Sequence, residues 1–505
     1  MAYSATPYLS KSLYIKGLQC HKALWLQKNR PELKDEVSVS QQSAFDSGTS
    51  VGILAQQLFP DGVEVPYHGL TPTEQLEMTR KLMADGVQTI YEAAFSFQNT
   101  FCKADILHHG PDGWEIYEVK ASTGYKEVYL DDIALQYHLL TGCGLHPVKA
   151  FLVHLNGEYV RKGAIDPQQL FTMLDLTDEV RELQATVAAN LTTQREMLQG
   201  EMPVIDIGPH CSSPYSCSFS GYCWSHIPDN SIFSLRDHGK PDAWQLYQEG
   251  YLKIVDVPEE RLGWRQKLQQ RGISEEFLQV DHDAVSRFVE SLVWPLSFMD
   301  FETLYMVPVP LWDNVSPYQQ IPFQFSLHII DQDGAEPHHH EFLAEGTGDP
   351  RRHFTEALLA SVPASGSVLT WNATFEKQRI SELAVCFPDC AAALQQLSER
   401  VVDLMIPFRR KEIYHSAFNG SYSIKAVLPA LCTELSYAEL GIQNGEMASS
   451  GWLQMLYEPL AENRELIRSN LLEYCKLDTW AMVMILEEMK SWIMDLQKWT
   501  SRGDG

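Results

Sequence analysis

The sequence lacks a long uninterrupted apolar run, and it has little positive charge. Its 39 Lys and Arg residues are set against 66 Asp and Glu residues, for a net charge of −27. The first feature argues against a transmembrane helix, and the N-terminal stretch also lacks the apolar core of a signal peptide. We therefore expect a cytoplasmic protein with no membrane partner. The acid excess argues against tight, sequence-independent DNA binding, but not against DNA chemistry in a locally basic cleft.

A chain of 505 residues is too long for one ordinary domain, so two or three are expected. Its apolar content of 45% is typical of a globular protein with substantial cores. We divide it into a first unit (1–225), a connector with small helices (226–294) and a second unit (295–498). Both units mix strand-like and helix-like patterns, which predicts an α/β fold for each.

Residue periodicity predicts the elements of both units. The first unit has predicted strands at 101–108, 113–120 and 149–155, and predicted helices at 131–140 and 167–199. The second unit has predicted strands at 296–302, 323–330 and 367–371, a helix beginning near Glu376, and a helical stretch from 463 to 496. In the first unit, Pro111-Asp112-Gly113 is typical of a hairpin turn between two strands.

The first candidate site lies on that hairpin. Glu118 and Lys120 are two residues apart on one strand and share a face, and the turn brings Asp105 beside them. Two carboxylates form a hard oxygen site for Mg²⁺ or Mn²⁺, and the lysine can orient a nucleophile or stabilise charge on a phosphate. Gln136, on the following helix, can reach the same site. Glu92 is a possible accessory acid, with a plain surface role as the alternative.

The second candidate site is a group of cysteines. Cys211, Cys217 and Cys223 stand in a loop rich in Ser, Pro, Gly and Tyr, which has little core of its own, and Cys20 is the natural fourth ligand. In a cytosolic chain such a group indicates a metal site rather than disulfides. The spacing does not choose between Zn²⁺ and a [4Fe–4S] cluster. The other six cysteines, Cys475 among them, are interpreted as ordinary small core residues.

The third candidate site belongs to the second unit. Asp300 and Glu302 lie two apart on a strand and therefore share a face, which suits paired metal ions. Tyr474 and Asp478 lie four apart on a predicted helix and also share a face, and the tyrosine hydroxyl can orient an attacking water. Glu376 follows a third strand, at the start of a helix.

The residues of the first and second sites resemble the RecB-like branch of the PD-(D/E)XK nucleases, including its iron–sulfur subgroup. The matching segments are Ala104-Asp105, Tyr117-Glu118-Val119-Lys120 and Gln136-Tyr137, with one early cysteine and three later ones. The resemblance implies a restriction-endonuclease-like fold, with Asp105 and Glu118 as metal ligands and Lys120 and Gln136 as catalytic or supporting residues. It also implies a structural [4Fe–4S] cluster on the four cysteines. Many RecB-like members carry an early histidine after a glycine, where this sequence has Gly48-Thr-Ser-Val-Gly52.

The third site resembles the DnaQ-like (DEDD) 3′–5′ exonucleases of the ribonuclease H-like fold. Asp300 and Glu302 match the first motif, Asn372 to Glu376 the second, and Tyr474 with Asp478 the third. The resemblance implies that Asp300, Glu302, Glu376 and Asp478 hold two Mg²⁺ or Mn²⁺ ions and that Tyr474 is catalytic. Glu376 replaces the usual aspartate, and Asp403 is a possible support or alternative ligand.

Three hypotheses follow from these residues. The first is a nuclease with two active sites that hydrolyses DNA, with single-stranded ends preferred by resemblance only and RNA left open. In the second, only the C-terminal site cuts and the first unit is a structural or DNA-binding platform; the glycines at the early histidine position motivate it. The third is a non-catalytic assembly or regulatory protein built on nuclease folds, which the acidic charge favours through contact with partner proteins.

Overall fold

The computed structural model describes residues 8–37, 39–236 and 242–500. The chain divides into two compact units, one of residues 1–227 with 307–318 and the other of residues 228–306 with 319–505. Both units are α/β with mixed sheets, so the predicted fold class is confirmed. From Pro228 onward the predicted connector belongs to the second unit, and its residues 237–241 lie outside the described residues.

In the described part of the chain, the first unit is built on seven strands. They are β1 (Leu9–Ser10), β2 (Val63–Glu64), β3 (Thr89–Phe97), β4 (Thr100–Gly110), β5 (Gly113–Lys120), β6 (Lys149–Leu155) and β7 (Phe171–Asp175). Its α-helices are α1 (Lys11–Gln19), α2 (His21–Asn29), α3 (Val39–Ala55), α4 (Pro72–Ala84), α5 (Glu127–Gly142), α6 (Pro167–Leu170), α7 (Thr177–Glu182), α8 (Gln184–Gln199) and α9 (Ser220–Cys223).

The seven strands form one sheet in the order β2-β3-β4-β5-β6-β7, with β1 also paired to β4. Strands β3, β4 and β5 are antiparallel neighbours, whereas β5 and β6 run parallel. The predicted hairpin turn is confirmed, with Gly110 paired to Gly113 across it. Helix α5 packs against α8 and the sheet, and residues such as Ile133, Leu135 and Leu139 are fully buried there. This packing fixes the helix that carries Gln136 over the strands that carry the candidate site.

The prediction of one long helix over 167–199 is wrong. The chain instead forms α6, then the edge strand β7, and then α7 and α8. Strand β7 pairs antiparallel with β6, with Phe171 opposite Leu155 and Asp175 opposite Phe151. The backbone N–H and C=O groups of β7 form hydrogen bonds with β6, whereas in a helix they would bond within the same segment. Such tertiary contacts override helix propensity.

The described residues of the second unit also form seven strands. They are β8 (Leu278–Val280), β9 (Leu296–Leu304), β10 (Ile321–Ile330), β11 (His338–Leu343), β12 (Val368–Thr370), β13 (Val401–Asp403) and β14 (Ile413–His415). Its α-helices are α10 (Ala243–Gln248), α11 (Trp264–Ser274), α12 (His282–Glu290), α13 (Arg351–Ser361), α14 (Ala373–Cys386), α15 (Ala391–Glu399), α16 (Ile406–Arg409), α17 (Ile424–Leu431), α18 (Gly445–Tyr457) and α19 (Ala461–Thr500).

The main sheet of the second unit has the order β11-β10-β9-β12-β13. Strand β10 runs antiparallel to its neighbours β9 and β11, whereas β9, β12 and β13 run parallel to one another. Met299 and Phe301 of β9 face an apolar core with Phe354 of α13. Because side chains alternate along a strand, Asp300 and Glu302 face the other side, where α18 and α19 pack on the sheet. The sheet therefore separates an apolar face from a face that carries acids.

None of the described helices is both long enough and apolar enough to cross a membrane.

Candidate functional site

A cavity of about 530 Å³ opens over the acidic face of the second unit. Asp300 and Glu302 of β9 line it, together with Tyr474 and Asp478 of α19. The strand alternation and the helical spacing thus place two pairs of residues, far apart in the sequence, around one space. The other wall contains Lys425 and two aromatic side chains, Trp371 and Phe375.

Glu376 lies in the first turn of α14, directly after β12, and it is 2% exposed. It is not among the residues that line the cavity, but its charge raises the pKa of Asp300. Burial, together with the charge of Asp403, raises the pKa of Glu376 to about 8. Within the described part of the chain, its Oε2 atom has no hydrogen-bond partner. This buried oxygen is therefore an unsatisfied acceptor next to the acids of the cavity.

Asp403 stabilises the turn that presents Glu376. Its Oδ1 accepts hydrogen bonds from the backbone N–H groups of Asn372 at 3.1 Å and Met405 at 3.0 Å. Asn372 adopts the left-handed conformation, with φ of 80°, and such a residue is held by specific contacts. Asp403 therefore acts through the backbone between β12 and α14.

Burial shifts the carboxyl groups of this cavity toward their protonated forms, most strongly Asp300 and Glu302. Burial, and then the charge of Asp478, raise the pKa values of Asp300 and Glu302 well above their usual range. Burial raises the pKa of Asp478 to about 6, although the Tyr437 hydrogen bond and the Lys425 charge oppose the rise. Because Lys425 is one ammonium beside several carboxyl groups, the ionised cavity carries excess negative charge.

Tyr437 is a part of this site that the sequence did not reveal. Its hydroxyl donates to Oδ1 of Asp478 at 2.7 Å. Lys425 donates from Nζ to the hydroxyl oxygen of Tyr474 at 3.2 Å and to the carbonyl of Gln443 at 2.5 Å. Tyr437 precedes Asp478 by 41 residues in a stretch without a strong periodic pattern, so no local signal marks it.

Cys475 also belongs to this site. It is fully buried, and its Sγ lies 3.8 Å from Oδ2 of Asp300. Ligand atoms of Asp300, Glu302 and Cys475 all lie within 4.8 Å of one another, and no other such trio occurs among the described residues. The interpretation of the remaining cysteines as core residues is wrong for Cys143, which is exposed because it follows the end of α5. For Cys475 it is incomplete, since this buried thiol contacts an acid.

The four residues of the first candidate site also come together. Glu118 is 1% exposed, and its Oε1 accepts from Nζ of Lys120 at 2.8 Å while its Oε2 accepts from Nε2 of Gln136 at 2.6 Å. Oδ2 of Asp105 accepts from the backbone N–H of Val119 at 2.7 Å. The Asp105 carboxylate thus accepts a backbone hydrogen bond where the regular pairing of β4 and β5 ends.

Two further residues complete this first cluster, and the sequence did not reveal them. Lys11, at the start of α1, donates from Nζ to Oε1 of Glu118 at 2.7 Å, and Asp132 of α5 forms an ion pair with Lys120. Burial raises the pKa of Asp105 to about 7, with a further contribution from the charge of Glu118. Burial also acts to raise the pKa of Glu118, but the two lysines outweigh it and hold that pKa below its usual range.

Glu92 lies close enough to this cluster for the charges of Lys11 and Glu118 to affect its pKa. It has a positive φ of 56° within β3, and its carboxylate lies 3.5 Å from Nζ of Lys103. Burial raises its pKa. Glu92 is thus a neighbour of the cluster with its own cationic partner.

The four predicted cysteine ligands line one small pocket in the first unit. Cys20 is the N-cap residue of α2, and Cys223 ends α9. The backbone N–H of Cys217 donates to the carbonyl of Cys211 at 2.8 Å. In the described part of the chain, no three cysteine Sγ atoms lie within 4.8 Å of one another. Thiolates of a tetrahedral zinc site are about 3.8 Å apart, given a Zn–S bond of about 2.3 Å, so these thiols are more widely spaced.

The fold and the sites define a protein of two mixed α/β units, each with a buried cluster of carboxyl groups at the surface of its sheet. A family model described as a domain of unknown function (DUF2779) matches residues 297–423. The match begins on β9, which carries Asp300 and Glu302, and ends just before α17, which carries Lys425. The comparison with curated proteins finds no match.

Proposed function

We propose that this protein is a metal-dependent nuclease that hydrolyses phosphodiester bonds, and that the cavity of the second unit is its principal active site. One observation carries the proposal: Asp300, Glu302 and Asp478 line one cavity, and the charge of a fourth acid, Glu376, acts on Asp300. The Lys425 charge lowers the pKa values of Glu302 and Asp478. Strand β9 provides two of the acids, α14 one and α19 one. Such a cluster needs divalent cations or protons to offset its charge.

The donor set fits divalent cations. The ligands offered by Asp300, Glu302, Glu376 and Asp478 are carboxylate oxygens, which Mg²⁺ and Mn²⁺ prefer. The unsatisfied Oε2 of Glu376 is a buried acceptor that a cation would satisfy. When bound, divalent cations would activate water and stabilise charge on the attacking and leaving oxygens of a phosphodiester.

Protein groups around the acids have separate tasks in this mechanism. Lys425 fixes the Tyr474 hydroxyl through a hydrogen bond, so that this hydroxyl can position the attacking water. The Lys425 ammonium also offers positive charge to a phosphate. Trp371 and Phe375 line the same cavity and offer ring faces to a base, a contact that tolerates any sequence. This wall supports single-stranded nucleic acid as substrate, in DNA or in RNA.

The first unit supports a second hydrolytic site, with Asp105 and Glu118 as cation ligands, Lys120 beside the phosphate and Gln136 holding Glu118. A specific observation favours the alternative that this unit is a binding platform. Two ammonium groups, from Lys11 and Lys120, already donate to Oε1 of Glu118. Charge on Glu118 is therefore largely compensated without a metal ion, in contrast to the second unit.

The cysteine pocket is proposed to hold a structural [4Fe–4S] cluster, with Zn²⁺ as the alternative. Four cysteine thiolates are the ligand set of such a cluster, and the four side chains line one pocket. The wide spacing of the thiols supports the cluster over a single tetrahedral ion. A cytoplasmic location is proposed with it, because the cytosol keeps thiols reduced.

The test uses end-labelled single-stranded DNA and RNA, purified full-length protein and Mn²⁺. Asp300→Asn should lower the rate about a thousandfold or more, because the metal contribution is several kcal/mol and each 1.4 kcal/mol is tenfold. Lys120→Ala reports on the first unit, and full activity in that variant identifies it as a platform.

Asp333→Asn and Lys149→Ala are the matched controls, since both side chains are well exposed. Wild-type protein that is loaded with metal and cuts neither nucleic acid would overturn the proposed function and favour a non-catalytic role.

A further inference from the structure

Cys475 lies beside Asp300 and Glu302, with the ligand atoms of all three within 4.8 Å of one another. Along α19 it precedes Asp478 by three residues, so both side chains lie on the same side of the helix. Its Sγ lies 3.8 Å from Oδ2 of Asp300. A tetrahedral ion with bonds of about 2.3 Å to sulfur and about 2.1 Å to oxygen separates those two atoms by about 3.6 Å. The observed separation therefore suits a shared ion.

We infer that Asp300, Glu302 and Cys475 form a mixed oxygen–sulfur site for a thiophilic divalent cation, of the class of Zn²⁺ or Co²⁺, rather than for Mg²⁺ or Mn²⁺ alone. The inference rests on the proposed function and identifies the metal of the same cavity. On binding, the Cys475 S–H bond breaks, a metal–sulfur bond forms and the proton leaves to solvent. No electron is transferred in this step.

The thiol changes the selectivity of the cavity. A site of carboxylates alone takes Mg²⁺ and Mn²⁺ readily, whereas a thiolate favours softer transition metals. Glu376 lies close enough for its charge to raise the pKa of Asp300, and its buried Oε2 has no hydrogen-bond partner among the described residues.

The experiment adds Co²⁺ to full-length protein and records the cobalt-minus-cobalt-free difference spectrum, which removes any iron–sulfur colour. The wild type should give a near-ultraviolet thiolate-to-cobalt band, and Cys475→Ser should lose part of its intensity. Cys432→Ser is the matched control, because Cys432 is a half-buried cysteine of the same unit that does not belong to the group of Asp300, Glu302 and Cys475. Cobalt bound at the four-cysteine pocket contributes equally to all three proteins.

A second readout is affinity. Cys475→Ser should weaken Zn²⁺ binding at this site by about tenfold or more, because even the loss of a partner that orients a ligand costs about that much, while Mg²⁺ binding stays within about twofold. If Cys475→Ser does not fold, ¹¹³Cd NMR of wild-type protein decides the matter. A cadmium resonance in the range for one sulfur and several oxygen ligands supports the inference.

The outcomes separate the two proposals. Cobalt that binds with a spectrum unaffected by Cys475→Ser, but is lost in Asp300→Asn, overturns the role of the thiol and leaves the proposed metal-dependent function intact. Cobalt binding that Asp300→Asn does not change overturns both.

Discussion

Lys11, which is half-buried, forms an ion pair with the buried Glu118, with Nζ of Lys11 2.7 Å from Oε1 of Glu118. The same oxygen accepts from Lys120 at 2.8 Å, so one carboxylate serves two lysines from elements far apart in the sequence. This arrangement ties the first turn of α1 to strand β5. It also means that any cation that binds Glu118 must compete with two resident ammonium groups.

Removal of the Lys11 charge should destabilise the first unit. We expect Lys11→Met to lower the free energy of opening at β5 by about 2–3 kcal/mol, because the buried Glu118 loses one partner while Lys120 remains. Hydrogen exchange of the β5 amides measures this. Lys149→Met is the control: Lys149 pairs with Asp175 at 2.6 Å, but the side chains are 47% and 40% exposed, so a much smaller loss of stability is expected. Equal effects in the two variants would show that the Lys11 pair is worth no more than a surface pair.

The stability of the metal-free second unit should fall as pH rises. Glu376 titrates near 4.5 when unfolded and near 8 in the folded protein, so the folded state binds the proton more tightly. Its contribution to stability is present below about pH 4.5 and is lost as pH rises through about 8. Chemical unfolding in the presence of a chelator, between pH 5.5 and 8.5, measures this slope.

Asp300→Asn should flatten that slope and stabilise the metal-free unit at pH 8 by about 1–3 kcal/mol, because one pKa unit corresponds to about 1.4 kcal/mol. Glu345→Gln, at an exposed position, should leave the slope unchanged. A slope in Asp300→Asn identical to the wild type would argue against mutual repulsion among these acids.

Tyr437→Phe should make metal binding more sensitive to acid. The Tyr437 hydroxyl donates to Asp478 and lowers its pKa, which is about 6. Without this bond the pKa rises, so protons compete with Mn²⁺ up to a higher pH. We expect about a tenfold loss of Mn²⁺ affinity at pH 6 for one pKa unit and a much smaller loss at pH 8.5, measured by calorimetry. Tyr457→Phe is the control, since Tyr457 is 69% exposed. Equal losses at both pH values would exclude an effect through Asp478.

Protein purified without oxygen should be brown, with a broad absorption shoulder in the blue and bound iron. Cys217→Ser should lose the colour and the iron, because Cys217 lines the pocket of four thiols. Cys143→Ser should keep both, since Cys143 is exposed and lies outside that pocket. A colourless wild type that contains zinc would show that the pocket holds the other metal.

Local periodicity accounts for the part of the sites that the sequence predicted. Alternation along β9 places Asp300 and Glu302 on one face, and the spacing of α19 places Tyr474 with Asp478. Both are short-range regularities of the backbone. The same helical spacing places Cys475, three residues before Asp478, on that side of α19. The sequence did not indicate a role for it, because a cysteine among apolar neighbours is ordinarily a core residue.

Contacts between distant segments account for what the sequence did not predict. Lys11 is 107 residues from Glu118, and Tyr437 is 41 residues from Asp478. No periodic pattern connects residues at such separations, so packing alone decides which side chains meet. Strand β7 was missed for the same reason: its partner β6 offers an open edge that only the assembled sheet provides.

The four cysteines of the pocket are synthesised at very different times during translation of the chain. Cys20 emerges from the ribosome early, whereas Cys223 emerges only after strands β1 to β7 have been translated. Helices α1 and α2 are therefore synthesised long before the segment that contains the other three cysteines. Delivery of the proposed metal group would thus follow synthesis of the sheet, and it would join two segments that lie about 200 residues apart in the sequence.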